Sequence, residues 1–400
     1  LGDLKAMSHT AYVNKLIALL ICALASVYAI NWIVDPLALG SLLGQRVFAS
    51  DYRFEREVRY NTLSARRPEV VILGTSDTGH GIDPKNPLFG GSGVAYNAAL
   101  SGGSSSELAR IMGHVAALGS VRRVMVGVDY MLTKGQDGDH FNDAFLVSDG
   151  LEGSIKAVKA RLSTTMLISS VKQVIEKETN RISYADDSGH LLAERFQARL
   201  AGQGGPHEAI LNDVKSTTTM LSNPNADFAG DLNEIITLAC HNHIDLTLFT
   251  PPWHVSMLEV VEAMGQWPAL ENWERLVEKA ARGAPCPVTV WDFTQVNDWT
   301  TEAVPPPGTM TPMRDYWDMV HYRSRIGDEM LSEISADLRQ HASTLRPNDS
   351  STEVNIGERF TSQNLAAFQR HRSAALAAYE AAHGEQYARI RSEVARALGH

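Results

Sequence analysis

Five short apolar runs, separated by helical stretches, constrain this chain more than any other feature. They are EVVILG (69–74), AYNAAL (95–100), RRVMVGVDY (122–130), DLTLFTPP (245–252) and VTVWDF (288–293). Runs this short without strict polar alternation read as strands buried on both faces. Helical patterns lie between and after them: Ser105 to about Leu118, roughly 228–242, a stretch ending near Arg282, and about Ser324 to His341. Strand and helix alternation predicts an α/β domain, a parallel sheet with helices on both faces. Ligands of open α/β sheets sit at the carboxyl ends of the strands. The chemistry is therefore expected at 74–81, 100–106, 129–132, 251–254 and 294–321.

A second feature sets the setting. Leu16 to Val34 (LIALLICALASVYAINWIV) carries no charge, and nineteen residues at ~1.5 Å each roughly match a ~30 Å hydrocarbon core. Lys5 and Lys15 precede the run, Trp32 stands at an interfacial position, and Asp35 and Pro36 close it. Met7 would allow a signal-peptide reading, but no small-residue cleavage pattern comes after the run, which exceeds a usual signal core. The expectation is a cytoplasmic tail (1–15), an uncleaved anchor (16–34) and an extracytoplasmic, periplasmic remainder at the inner (cytoplasmic) membrane. A connector (35–66) leads to a catalytic domain (67–345). A polar helical insertion, about 135–225, would cap one end of the sheet, and a helical extension (350–400) ends the chain. In that extension Leu376, Tyr379, His383, Tyr387, Ile390, Val394 and Leu398 form one stripe, for packing on the parent domain or on a partner. A formal charge of −10 speaks against nucleic acid as partner. Cys240 and Cys286 each stand just before a strand, so a bridge and two buried thiols are both open.

The first strand breaks into GTSDTGHG (74–81). A phosphate loop would need Lys and Ser or Thr where His80 and Gly81 stand, and a dinucleotide loop would need GxGxxG. Neither fits, and no cofactor is implied. Ser76, two residues past the strand, could be a helix N-cap or a nucleophile presented at a turn. The second role needs a histidine base oriented by a carboxylate. Asp318-x-x-His321, before the last helix of the domain, supplies both.

These residues resemble the SGNH/GDSL hydrolase superfamily. GTSD (74–77) is similar to its first block, with Ser76 as nucleophile. Asn97-Ala-Ala-Leu-Ser-Gly102 is similar to the second, whose glycine N–H lines the oxyanion hole. Asp318-x-x-His321 is similar to the last. The resemblance implies a three-layer α/β/α fold with a parallel, flavodoxin-like sheet, and an oxyanion hole from Ser76 and Gly102. The third block departs: Gly127-Val128-Asp129-Tyr130 lacks the asparagine that supplies a further oxyanion donor, a loss typically costing ~10²–10³ in rate. That departure and the anchor are similar to the membrane-anchored D-alanyl-transfer (DltD-like) and polysaccharide O-acetylation branch. This implies acyl transfer to a glycan acceptor, from a donor passed across the bilayer by a membrane-bound O-acyltransferase. An esterase with the same triad and a non-catalytic scaffold are the alternatives.

Asp77, Asn97, Asp129, His254, Trp253 and Trp317 are candidate substrate contacts by position, with Trp299 also nearby. Packing or capping is the alternative for each, and His80 has the same ambiguity. His254 is more readily a cap. CHNH (240–243) superficially suggests a metal site, but it ends a helix at the opposite edge of the sheet, so no metal is expected.

Overall fold

The computed structural model describes residues 9–43, 52–91, 93–134, 138–178, 184–222, 227–342 and 356–399. The elements begin with α1 (His9–Val34), α2 (Glu55–Arg66), β1 (Val70–Leu73), α3 (Ser76–Gly81), β2 (Ala95–Asn97), α4 (Ser105–Leu118) and β3 (Arg123–Gly127). Next come α5 (Leu151–Arg161), α6 (Thr164–Glu178), α7 (Ala193–Gln203), α8 (Pro206–Leu221), α9 (Phe228–His241) and β4 (Asp245–Thr250). The chain continues through α10 (Val255–Ala263), α11 (Trp267–Arg282), β5 (Val288–Asp292), α12 (Ser324–Ala342), β6 (Glu358–Arg359), α13 (Leu365–Ala382) and α14 (Gly384–Leu398).

Two compact units result. One holds α1, α2, α5 and α6; the other holds the sheet and the remaining helices. The stretch expected as a single insertion is thus divided: 141–184 belongs to the first unit, and α7 and α8 to the second.

In the first unit α1 is long and apolar enough to cross a membrane. The stretch expected as a connector (35–66) contains α2, whose Glu57 and Asn61 are buried because each has backbone to hold. Glu57 accepts from the N–H of Asn142 (2.7 Å), and the Asn61 amide donates to the carbonyls of Leu37 and Phe145 (both 3.0 Å).

The sheet of the second unit runs β2-β1-β3-β4-β5-β6. β1 to β5 are parallel, with Val70 level with Ala95 on one side and Arg123 on the other. This is the flavodoxin-like order, whose direction of winding reverses at β1. Right-handed crossovers then place α4, α9 and α11 on one face and α3 and α12 on the other, in keeping with the packing of α9 on α4 and α11 and of α3 on α12. Helix α4 shows why the sequence folds as it does: Ser104 and Glu107 form a capping box, and Leu108, Ile111, Met112 and Val115 recur at helical spacing and are buried. Each such burial contributes about 1.5–3 kcal/mol.

The five expected strands form the parallel sheet, and a sixth, not read from the sequence, joins it. β6 pairs antiparallel with β5, Trp291 level with Arg359. A two-residue strand leaves no periodicity to read; its place is fixed by the helices α13 and α14 that anchor the chain after it. Residues 350–355 of the expected extension lie outside the described residues. Beyond them, the stripe of the extension is broken at His383, which separates α13 from α14. Leu376, Ile390 and Val394 are buried while Leu398 is exposed. α14 packs on α8 and α10, and the fully buried Arg372 of α13 pairs with Glu274 and lies 3.7 Å from Asp292 at the end of β5. The extension therefore docks on its own domain. Cys240 and Cys286 form a disulfide joining the end of α9 to the approach to β5.

Candidate active site

Strand β1 ends at Leu73, and Gly74 turns the chain with φ of +154°, where a Cβ would meet Thr78 Oγ1 at 2.4 Å. Thr75 occupies the N-cap of α3, so Ser76 is the first helical residue and its hydroxyl is not spent on capping. Ser76 Oγ lies 2.8 Å from His321 Nε2. His321 Nδ1 lies 2.8 and 2.9 Å from the two Asp318 oxygens. With the Nδ1 proton facing the carboxylate, Nε2 is left to accept from the serine hydroxyl.

The Asp-His turn is fixed by its own backbone. Tyr316 and Tyr322 form an antiparallel bridge, Trp317 N–H donates to the His321 carbonyl (2.9 Å), and Asp318 Oδ1 accepts from the N–H groups of Val320 (2.9 Å) and His321 (2.8 Å). The end of β4 holds this turn in place. Tyr316 OH donates to the Pro252 carbonyl (2.8 Å), and His254 N–H donates to that of Met319 (3.1 Å).

Electrostatics follow from these contacts. Burial would depress the pKa of His321, but the Asp318 charge and hydrogen bond outweigh it and leave the imidazole above its ordinary value. Burial would likewise raise Asp318, yet His321 and the turn's N–H groups hold it well below the usual carboxylate range.

Ser76 and His321 open into a cavity of about 810 Å³, also lined by Asp77, Gly102, Asp129, Lys134, Arg199 and Asp213. Gly102 has φ of +58°, the left-handed turn that suits glycine. Asp77 and Asp129 are both buried at this wall. Asp77 accepts from Thr75 Oγ1 (2.5 Å) and Thr78 N–H (2.6 Å), and Asp129 from Met131 N–H (2.7 Å). Burial raises the pKa of both, and the Asp77 charge raises that of Asp129 further. Burial and the neighbouring negative charge both favour the protonated form of Asp129.

The other sequence candidates do not line the cavity. Asn97 is buried and spends its amide on the carbonyls of Thr78 (3.1 Å) and Ile82 (2.9 Å), bracing α3. His254 is buried as the N-cap of α10, its Nδ1 accepting from Ser256 N–H (3.2 Å) and its Nε2 facing the Glu302 carbonyl (2.7 Å). Burial lowers its pKa to about 4, so it stays neutral. Trp253 is core, Trp317 stacks on Phe196 at 5.7 Å, and Trp299 lies against Arg325. His80 is buried edge-on to His321, its ring centroid 5.8 Å away. Cys240, the first residue of CHNH, is taken by the disulfide.

Sequence reading missed the side of the cavity formed by α7 and α8. Arg199 of α7 donates to Asp213 (2.5 Å) and lies 3.4 Å from Asp318 Oδ2. Burial, then the Asp318 charge, pushes Asp213 up to about 7, against the pull of Arg199. A signal existed: Asp213, Ser216, Thr217 and Met220 fall on one face of α8, and all four line the cavity.

What fold and site together define is an α/β protein with a Ser–His–Asp constellation at the carboxyl edge of its sheet. No family model matches the chain, and no curated protein does. Two solved structures are similar to it. One, from Bacteroides fragilis, is provisionally assigned as an acylhydrolase: 13% identity over 68% of this chain and 88% of that chain, TM-score 0.31. The other, from Streptococcus pneumonia, is provisionally assigned as a platelet activating factor: 12% identity, 79% and 98% coverage, TM-score 0.33. Likeness at this level carries no inference.

Proposed function

We propose that this chain is a membrane-anchored, extracytoplasmic serine O-acyltransferase of SGNH type. Its proposed reaction moves an acyl group, in the first instance acetyl, onto a hydroxyl of a cell-surface or secreted polysaccharide. The observation that carries the reading is the hydrogen-bonded chain Ser76–His321–Asp318 opening into the cavity.

In this mechanism Ser76 Oγ attacks the carbonyl carbon of an acyl donor while His321 Nε2 takes the hydroxyl proton. The Asp318 carboxylate holds the ring and stabilises the imidazolium. The tetrahedral oxyanion is met by the N–H groups of Ser76 and Gly102, and a protonated Asp129 on the cavity wall donates in place of the missing asparagine. His321 then protonates the departing group, leaving an ester on Ser76. A sugar hydroxyl gives its proton to His321, attacks that ester, and regenerates Ser76. The apolar α1 and the Cys240–Cys286 bridge suit a site tethered at a membrane in an oxidising compartment, where a membrane-bound O-acyltransferase would deliver the donor.

The test is to incubate the full chain with 4-nitrophenyl acetate, with and without an acceptor oligosaccharide, and to measure free acetate and glycan ester. Transfer predicts glycan ester at the expense of acetate, lost in Ser76→Ala. Acetate release indifferent to the acceptor means hydrolysis. Identical background in wild type and Ser76→Ala removes the enzyme reading.

A further inference from the structure

The first unit contains a helix whose polarity is inside out. The face of α6 that is buried carries Ser169, Ser170 and Gln173, alongside Met166. Besides Thr164, Thr165 and Lys177, its exposed residues include Ile168 (65% exposed), Val171, Val174 and Ile175 (56%). A helix on a water-soluble domain buries its apolar stripe and exposes its polar one. Helix α5 shows the same exposure: Leu151 (78%), Ile155, Val158 and Leu162 recur at helical spacing and all face outward. Single exposed leucines need no explanation, but two adjoining helices with apolar outer faces do.

Both helices pack on α1, and the contacts are those expected between helices in lipid. Buried Asn31, near the end of α1, donates to the carbonyls of Arg161 (2.8 Å) and Ser163 (3.2 Å) and accepts from Ser170 Oγ (2.8 Å). Polar and small residues thus join α1 to α6, and apolar residues point away from the joint. Arg161 fixes the same corner by donating to the carbonyls of Leu39 (3.0 Å) and Gly40 (3.1 Å). The outer faces of α5 and α6 are therefore held beside the exposed apolar surface of α1, which includes Leu19, Leu20 and Leu24. Residues 151–178 also carry five Lys or Arg against three Glu, in a chain of net charge −10. A basic bias beside an apolar stripe is the composition of helices that lie in an anionic membrane surface.

We propose that α5 and α6 are seated in the lipid bilayer, in the leaflet at the C-terminal end of α1. The apolar stripes enter the acyl-chain boundary and the lysines reach the headgroups. The chain then meets the membrane through a three-helix foot, and α1 is its central element. This fixes the orientation of the first unit to the bilayer plane, which a lone flexible tether would not.

The experiment uses the full chain in vesicles of phosphatidylcholine and phosphatidylglycerol, with Cys22→Ala to remove the exposed thiol. Ile155→Cys, Ile168→Cys and Ile175→Cys are labelled singly with an environment-sensitive fluorophore, with Lys279→Cys on α11 as the aqueous control. Blue-shifted emission, shielding from iodide and severalfold stronger quenching by doxyl-labelled lipid than at Lys279→Cys are expected at all three sites. Labels open to iodide would overturn the proposal. So would labels shielded from iodide yet not quenched by doxyl lipid, because a protein partner or a second copy would then cover the face. Circular dichroism of each labelled variant separates either result from misfolding.

Discussion

Replacing Asp318 with asparagine should change both the rate and the pH dependence of the reaction, in directions the site geometry fixes. Nδ1 of His321 lies within 2.9 Å of both Asp318 oxygens. Opposite charges centred ~4 Å apart interact by about 4 kcal/mol at an effective dielectric of ~20. Arg199, 3.4 Å from Asp318 Oδ2 and partly exposed, offsets part of it. In the wild type, His321 is a base only when neutral, and its pKa is raised. Activity therefore climbs with pH along an acid limb lying above the ordinary histidine value. In Asp318→Asn the largest raising charge is gone and only Asp77 and Asp213 still oppose burial, so the limb moves down. The plateau rate should fall by about 10⁴, because an asparagine amide favours the wrong imidazole tautomer. The assay is kcat and KM for an activated acetyl ester from pH 4 to 9, with Ser76→Ala as background. A variant that keeps its rate, or whose acid limb stays put or moves up, refutes the role given to Asp318.

Activity should fall on the alkaline side, since the Asp129 donor is lost when its carboxyl ionises. Asp129→Asn should remove that alkaline limb, whereas Asp129→Ala should cost ~10²–10³ in kcat at every pH; the same pH profiles decide. Arg372→Met should destabilise the chain by about 3–5 kcal/mol through the unpaired Glu274 and Asp292, read as a lower denaturation midpoint in urea. A Cys240→Ser, Cys286→Ser double variant removes a cross-link across 46 residues, worth ~4 kcal/mol by loop-closure entropy. Because the bridge lies at the edge away from Ser76, kcat should hold in that variant while the melting temperature falls.

What the sequence made legible was local. Buried strands write themselves as short apolar runs, and α4 carries its capping box and stripe within fifteen residues, so sheet and crossover helices are legible in the sequence. Ser76 and Asp318-x-x-His321 stood out because catalytic groups sit at strand ends and an aspartate three residues from a histidine closes on it within one turn. What stayed hidden depends on pairing across long separations. β6 is a strand only because Arg372, Gln369 and α14 anchor its neighbours to the domain. Arg199 and Asp213 meet the site only because α7 and α8 fold back over it. Asn97 was a candidate contact for the same reason: its position at the functional edge was legible, but the carbonyls that claim its amide were not, whereas His254 is the cap its position favoured. The polarity of α6 reads as an ordinary amphipathic helix until the structure shows which face is inside.

The central claim, covalent catalysis by Ser76, is tested most directly by mass spectrometry of the full chain quenched after exposure to an activated acetyl ester, wild type beside Ser76→Ala and His321→Ala. The account predicts one acetyl group, found on the peptide carrying Ser76 and absent from both variants. An unmodified Ser76, together with no reaction toward a general serine-directed probe, would contradict it.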